Sequence, residues 1–398
     1  HGHFQIIARG GTSGGLPIET VYSISELRDT YELAGLFFDR HVLPTYLNQE
    51  LNQPDTPKWM LTTLTDYEMW SSGSMLGGVL QNIPSVNFIH AGPMSPRTYG
   101  HVMSFEGPKA ILGMSREIEG LIELGKDLGL EQRASFKVAF YGSGILPSRK
   151  MDDLKAVYPD IDVLSYFASN QAEAIGIQLK PNSPLVGVPG LHFIEIVDEQ
   201  GRWVAQGEEG ELVITRLHAN AAPILRMKLG DRMIRHANIK TSTNTNALHK
   251  EKSNGLCAEQ FEFAGRSSDI IHLGESQYSG PRTLAQVSEQ VASLTGWDLM
   301  AQSHELQFNN DRKNKVLSLR LAVTEVQMSE LSGVSNGQIR SIFVKALGHS
   351  LSLFDQTPQQ LKSLNATAYQ FEIELVAIDS TKIYRTGVNK TPLIRDQF

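Results

Sequence analysis

Residues 136–169 read FKVAFYGSGILPSRKMDDLKAVYPDIDVLSYFAS, and the succession of periods within them decides the fold. The apolar run Phe136 to Tyr141 has the length of a buried strand and ends in the turn Gly142-Ser143-Gly144. Met151, Leu154 and Val157 then recur at helical spacing, and Val163 to Phe167 form a second apolar run. Strand, helix and strand in this order make a β-α-β unit, whose turn at the end of the first strand lies where open α/β sheets bind ligands. Just upstream, Ser115 reads as the cap of a helix with Glu117 and Glu119 in its first turn and Ile118, Leu121, Ile122 and Leu128 on its apolar face.

Downstream the texture changes. LHFIEIVDEQGRWVAQGEEGELVITRL, residues 191–217, has short β-branched runs separated by Glu199 to Arg202 and by Gly207 to Gly210, the pattern of an antiparallel meander. KTSTNTNALHKEKSNG, residues 240–255, reads as an exposed polar excursion. Beyond GRSSDII the pattern becomes α+β: a helix around Leu284 to Leu294, a strand near Val316 to Val323, a helix from Ile339 to Leu347 and a strand near Phe371 to Ile378. The expected class is therefore α/β, with a large N-terminal domain of mixed sheets over residues 1–268 and a small, mobile α+β domain over 269–398.

Bulk properties bound what such a chain does. At 398 residues it is long enough for two or three domains with sizeable cores. No run approaches the roughly 18 consecutive apolar residues of a membrane helix, so membrane insertion is not expected. A net charge of -7, with 36 Lys and Arg scattered along the chain, argues against nucleic acid as a partner. The single cysteine, Cys257, excludes an intrachain disulfide and a cysteine-built zinc site, and points to a reducing, cytoplasmic compartment.

GGTSGGLP, residues 10–17 after Arg9, raises the question of phosphate binding. Glycines let backbone N–H groups converge on an anion, and Thr12 and Ser13 add hydroxyl donors, yet the same letters make an ordinary turn. A P-loop NTPase needs Lys followed by Ser or Thr after the last glycine, whereas Leu16 and Pro17 stand there.

Taken with the rest of the chain, the ordered set of motifs resembles the adenylate-forming superfamily that includes acyl-CoA synthetases, and within it the phenylacetate-CoA ligase-like branch. TSGGLP (12–17) is similar to the family's phosphate loop, YGSG (141–144) to its adenine-side turn, and YFASNQAE (166–173) to its aromatic-x-x-Thr/Ser-Glu motif. GELVIT (210–215) with PILRMKLGD (223–231) resembles its Gly-Glu-Leu strand and the strand ending in Gly-Asp. GRSSDII (265–271) resembles its interdomain hinge, and RTGVNK (385–390) its catalytic-lysine loop. The match is imperfect. The phosphate loop lacks a Lys before Pro17, the Tyr166-to-Glu173 spacing is longer than usual, so that Ser169, Asn170 and Gln171 compete for the hydroxyl position, and Asn389 precedes the lysine where Gly is usual. Members of this family carry more chain before the phosphate loop, so the resemblance implies either that an N-terminal portion is missing, the favoured reading, or that the subfamily is shortened.

What the resemblance implies is ATP-dependent activation of a small-molecule carboxylate as an acyl adenylate, with release of pyrophosphate, then transfer to a thiol (CoA or an acyl-carrier protein) or an amine. Thr12, Ser13 and Gly14 would hold the phosphates. Gly142, Ser143 and Gly144 would let adenine lie flat on backbone, with Tyr166 and Ser169 also on the nucleotide side. Glu173 would be a catalytic residue and ligand of Mg²⁺, which favours a carboxylate plus phosphate oxygens. Asp231 would end a strand and bind ribose. Arg266 and Asp269 would sit at the pivot, and Lys390 would supply a positive charge to the adenylation step. His90 and His101 flank the segment where acyl pockets of such enzymes lie. The alternative is a catalytically silent member of the fold that binds nucleotide or acyl adenylate without turnover. The identity of the acid and the choice between monomer and dimer stay open.

Overall fold

The computed structural model describes residues 3–9, 18–48, 56–67, 69–144, 146, 148–240, 256–274, 276–331, 333–349, 369–385 and 391–397. Thr12, Ser13, Gly14 and Lys390 lie outside the described residues, as do residues 241–255 of the expected polar excursion. The chain divides into two compact units, the boundary falling between Phe263 and Ala264.

The first unit is built on an eleven-stranded mixed sheet. Its parallel half runs Asn87–His90, Trp59–Thr62, Lys109–Met114, Phe136–Gly142 and Asp162–Ser169. The other half continues through Glu173–Gln178, Leu185–Gly187, Gln260–Arg266, Met227–Arg235, Glu209–Arg216 and His192–Val197, with antiparallel pairings at both ends of this series. The expected β-α-β unit is present: the helix Ser148–Val157 joins two strands paired in parallel from Val138↔Asp162 to Tyr141↔Ser165.

Strand Asp162–Ser169 is the changeover. Through Ser165 it pairs in parallel with its predecessor, and from Tyr166 onward it pairs antiparallel with Glu173–Gln178. Side chains alternate across the sheet. Val138, Phe140 and Leu164 pack into a core with Phe38, Val42 and Leu43, while Ala139 and Val163 join Leu121, Leu154 and Tyr158.

At the start of the chain, Phe4–Arg9 and Ile18–Ser23 pair antiparallel, with Arg9 opposite Ile18. Residues 10–17 therefore connect the two arms of a hairpin.

The second unit has a four-stranded sheet in the order Gln370–Val376, Val316–Ala322, Glu305–Asp311, Ile394–Gln397, and its helices Gly280–Thr295 and Asn336–His349 share the sheet's apolar core. Pro281 opens the first helix and Gly296, at φ 73°, closes it in the left-handed region, as the chemistry of helix ends favours. Val287, Val291, Phe308, Leu319 and Phe343 form the centre of this core, where Phe343 stacks on Phe371 with ring centroids 5.4 Å apart. The two helices expected here from periodicity are observed and run a few residues longer, the two expected strands are observed but end one and two residues earlier, and the strands Glu305–Asp311 and Ile394–Gln397 were not expected.

Candidate functional site

Three of the motifs meet around the changeover strand. Ser143, held at φ 65°, turns the chain after Phe136–Gly142. Ser115 does not cap its helix as expected; it is the first helical residue, and its hydroxyl lies 3.1 Å from the Gly142 carbonyl and 2.8 Å from that of Gly144. The N-cap position falls to Met114, whose N–H donates to Glu117 Oε2 at 3.0 Å, and the same oxygen accepts from the Thr63 hydroxyl at 2.6 Å. The glycine turn is thereby fixed to the helix that follows the neighbouring strand.

Gly142 is not an open surface for a flat base. A Cβ there would stand 2.6 Å from Tyr166 Cζ, so the glycine makes room for the Tyr166 ring and not for a ligand. Burial, and then the charge of Glu117, push the Tyr166 hydroxyl well above its ordinary range, leaving a neutral phenol.

The turn after Ser169 carries the next residues. Ser169 pairs with Glu173, so the long spacing of YFASNQAE is absorbed by a strand extended beyond Tyr166 and a short reversal at 170–172. Asn170 donates from its side chain to the Ala8 carbonyl at 2.7 Å, and its own carbonyl accepts from the Tyr22 hydroxyl at 2.5 Å. Both partners belong to the hairpin flanking residues 10–17. Of the three residues competing for the hydroxyl position, Asn170 is thus engaged with the hairpin, while the Ser169 hydroxyl is buried without a hydrogen-bond partner among the described residues.

Glu173 sits at φ 47°, a left-handed conformation that non-glycine residues occupy at a cost of about 1 kcal/mol or more and that clusters at functional sites. Its side chain is 6% exposed. Arg216 Nη2 lies 3.0 Å from Oε1, and His192 Nε2 lies 3.8 Å from Oε2. The Arg216 guanidinium also stands over the Tyr22 ring, 4.0 Å from its centroid. Burial pushes the Glu173 carboxyl up to about 7, against the pull of Arg216, and the same burial with the Arg216 charge pushes His192 down to about 3. At neutral pH the imidazole is uncharged.

Sequence reasoning missed Arg216, His192 and Tyr22. The signal was present in the period of two. Leu212, Ile214 and Arg216 share one face of their strand, and His192, Ile194 and Ile196 share one face of theirs, so a charged or polar residue closes the inward apolar series in the first strand and opens it in the second.

Asp231 does not end its strand. It lies inside Met227–Arg235, at a bulge where the register passes from Glu211↔Arg232 to Val213↔Lys228. Gly230, at φ 82°, supplies the left-handed residue that lets the strand bulge out and rejoin the sheet. In the second unit, Asp269 closes a tight turn: its N–H donates to the Arg266 carbonyl at 2.9 Å and its Oδ2 accepts from the Arg266 N–H at 3.2 Å. His90 and His101 are both exposed, His90 lying against Gly77 and His101 edge-on to Phe105 at 5.1 Å.

Among the described residues, no three His, Cys, Asp or Glu side chains converge as a metal site, and no helix is long and apolar enough to cross a membrane.

The architecture, a large mixed α/β sheet followed by a small α+β unit, is a fold that this chain shares with solved CoA ligases and synthetases. No protein-family model matches the sequence, and no curated protein matches it. Solved structures do. A 2-hydroxyisobutyryl-CoA ligase in the postadenylation state, in complex with 2-HIB-AMP, superposes over 99% of this chain and 74% of that one, with a TM-score of 0.59 and 14% identity. ATP-bound MatB from Rhodopseudomonas palustris superposes over 97% of this chain and 66% of that one, with a TM-score of 0.60 and 11% identity. O-succinylbenzoate coenzyme A synthetase (MenE) from Bacillus subtilis, in complex with AMP, gives 98% and 67%, a TM-score of 0.57 and 15% identity.

Proposed function

We propose that this protein is an AMP-forming carboxylate ligase. A carboxylate oxygen attacks the α-phosphorus of ATP, the bond from that phosphorus to the bridging oxygen breaks, and pyrophosphate leaves. A thiol, of CoA or of an acyl-carrier protein, then loses its proton to solvent and attacks the acyl carbon, and AMP departs with the carbon–oxygen bond pair; an amine would act in the same way. The observation that carries this reading is the tie between Asn170 and Ala8, which sets the Glu173 turn against the hairpin flanking the Gly/Ser/Thr loop, in a fold shared with ATP- and AMP-bound ligases. The narrower likeness to phenylacetate-CoA ligases rests on the sequence motifs.

In this reading Thr12, Ser13 and Gly14 meet the phosphates, with Ser169 beside them; Ser143, Gly144 and Tyr166 meet the nucleoside side, and Asp231 the ribose hydroxyls. Arg266 with Asp269 lies at the pivot, and Lys390 acts in adenylation. Mg²⁺ arrives on the nucleotide phosphates as part of the substrate. The described residues do not fit a protein-held ion: the one candidate carboxylate, Glu173, is buried with a guanidinium 3.0 Å from its oxygen. No step is assigned to Glu173 as a metal ligand. Incubation with ATP and a panel of carboxylic acids should release pyrophosphate with at least one of them. Nucleotide binding without release against any acid, in the presence of CoA and Mg²⁺, would leave the silent alternative.

A further inference from the structure

Among the described residues, both carboxylate oxygens of Glu173 lie among the buried groups without a hydrogen-bond partner, although Arg216 Nη2 stands 3.0 Å from Oε1, and donors around them are left without an acceptor as well. The guanidinium of Arg216 offers donors at Nε, Nη1 and Nη2, and it is 5% exposed. Nη2 is set against Glu173, while Nε and Nη1 are shut off from solvent with no acceptor in hydrogen-bonding geometry among the described residues. Among the described residues the Ser169 hydroxyl is in the same position, and so is the 6%-exposed ring of His192, whose neutral imidazole brings one N–H donor and one acceptor nitrogen. Buried donors are normally paired, and several unpaired ones in one place call for an explanation. A cation placed at the carboxylate would meet the guanidinium at contact distance. An oxyanion placed on the far side of the fork would instead satisfy donors from three strands.

We propose that Arg216 binds a phosphate group, with Ser169 and His192 as further donors and Glu173 as the positioning residue that orients the guanidinium. Glu173 thereby exchanges the metal-holding role implied by its motif for that of a brace, and the fixed charge of Arg216 does at the polyphosphate what a protein-bound cation would otherwise do. Tyr22 stacks beneath the guanidinium and fixes its plane. Because Tyr22 also bonds to Asn170, the site is built into the base of the hairpin that flanks residues 10–17. This inference rests on the adenylating reading, which makes the pyrophosphate portion of ATP the phosphate in question.

The test uses calorimetric titration of the full chain with inorganic pyrophosphate and, separately, with AMP, in EDTA and again in Mg²⁺. Wild-type protein should bind pyrophosphate in EDTA, within about tenfold of its affinity in Mg²⁺. Arg216→Lys should weaken that binding roughly 10- to 100-fold, the range for losing charged hydrogen bonds, and leave AMP affinity within a few-fold. Since a buried charge altered alone can unfold a site, Glu173→Gln/Arg216→Gln serves as the second variant. It removes both charges, and should lose pyrophosphate binding while still binding AMP. Pyrophosphate binding that appears only with Mg²⁺, or that survives both variants, overturns the inference and leaves the ligase reading standing. A wild-type protein that binds neither AMP nor pyrophosphate overturns both.

Discussion

The side-chain amide of Asn170 donates to the Ala8 carbonyl at 2.7 Å, joining positions 162 residues apart, and the Asn170 carbonyl in turn accepts from Tyr22. One residue is thus clamped by both arms of the hairpin. Asn170→Ala should remove the side-chain half of this clamp at a net cost of about 1 kcal/mol, a fall of a few degrees in Tm. If the clamp sets the hairpin loop against the Glu173 turn, the KM for ATP should rise several-fold while AMP, which lacks the terminal phosphates, binds as before. Equal losses for ATP and AMP would show that the clamp only stabilises the unit.

Gly142 is where a ring replaces a side chain. Gly142→Ala puts a methyl group 2.6 Å from Tyr166 Cζ, a distance at which something must shift. Overpacking of this kind costs about 1–3 kcal/mol. Displacing Tyr166 should weaken AMP binding along with stability, and Gly142→Ala/Tyr166→Ala should recover stability but not AMP affinity. Normal AMP binding in the double variant would remove Tyr166 from the nucleotide site.

The buried pair Glu173 and His192 gives the ligand-free protein a two-sided pH dependence. Glu173 is faced by Arg216, Tyr22 and Tyr31, and its carboxyl is raised from 4.5 to about 7, so between those values the native state holds more protons than the unfolded chain. Its contribution to stability falls as pH rises through that window. His192, faced by Arg216 and His218, is lowered from 6.5 to about 3, so the native state holds fewer protons there and stability is lost as pH falls below 6.5. His192→Leu should flatten the acid limb of a Tm-against-pH curve, by on the order of a few kcal/mol at its foot, and Glu173→Gln should flatten the slope near pH 7. An unchanged acid limb in His192→Leu would mean that the imidazole is charged in the native protein.

What the sequence conveyed and what it concealed have separate physical causes. The β-α-β unit and the small α+β unit were legible because apolar periods of two and 3.6 leave long, unambiguous traces. Ser115 was misassigned because a serine at a helix start serves as well for bonding a neighbouring loop, and the choice depends on Gly142 and Gly144 lying 27 and 29 residues away. Gly230-Asp231 read as a strand end because a bulge and a terminus use the same glycine, and only the partner strand tells them apart. Arg216 escaped notice because a charged residue closing an apolar run is usually solvated; here Glu173, brought from 43 positions upstream by strand pairing, makes its burial tolerable.

Lys390 lies outside the described residues, but the chain on either side of it is anchored to one strand of the small unit. Gln307 Nε2 donates to the Tyr384 carbonyl at 3.0 Å and to the Pro392 carbonyl at 3.1 Å, and the Thr391 hydroxyl donates to Glu305 Oε1 at 2.6 Å. If the lysine serves adenylation alone, its contacts are made in the transition state of that half-reaction and not in the next. Lys390→Ala should then slow ATP-dependent formation of the acyl adenylate by roughly 10²- to 10³-fold, as for loss of one electrostatic donor, while transfer from a chemically supplied acyl adenylate to the thiol runs at close to the normal rate. Gln307→Leu, which removes its side-chain bonds to both flanks but keeps the lysine, should slow adenylation less and spare transfer in the same way. A Lys390→Ala protein equally impaired in both half-reactions would mean that the lysine supports the fold of the small unit and has no separate part in the chemistry.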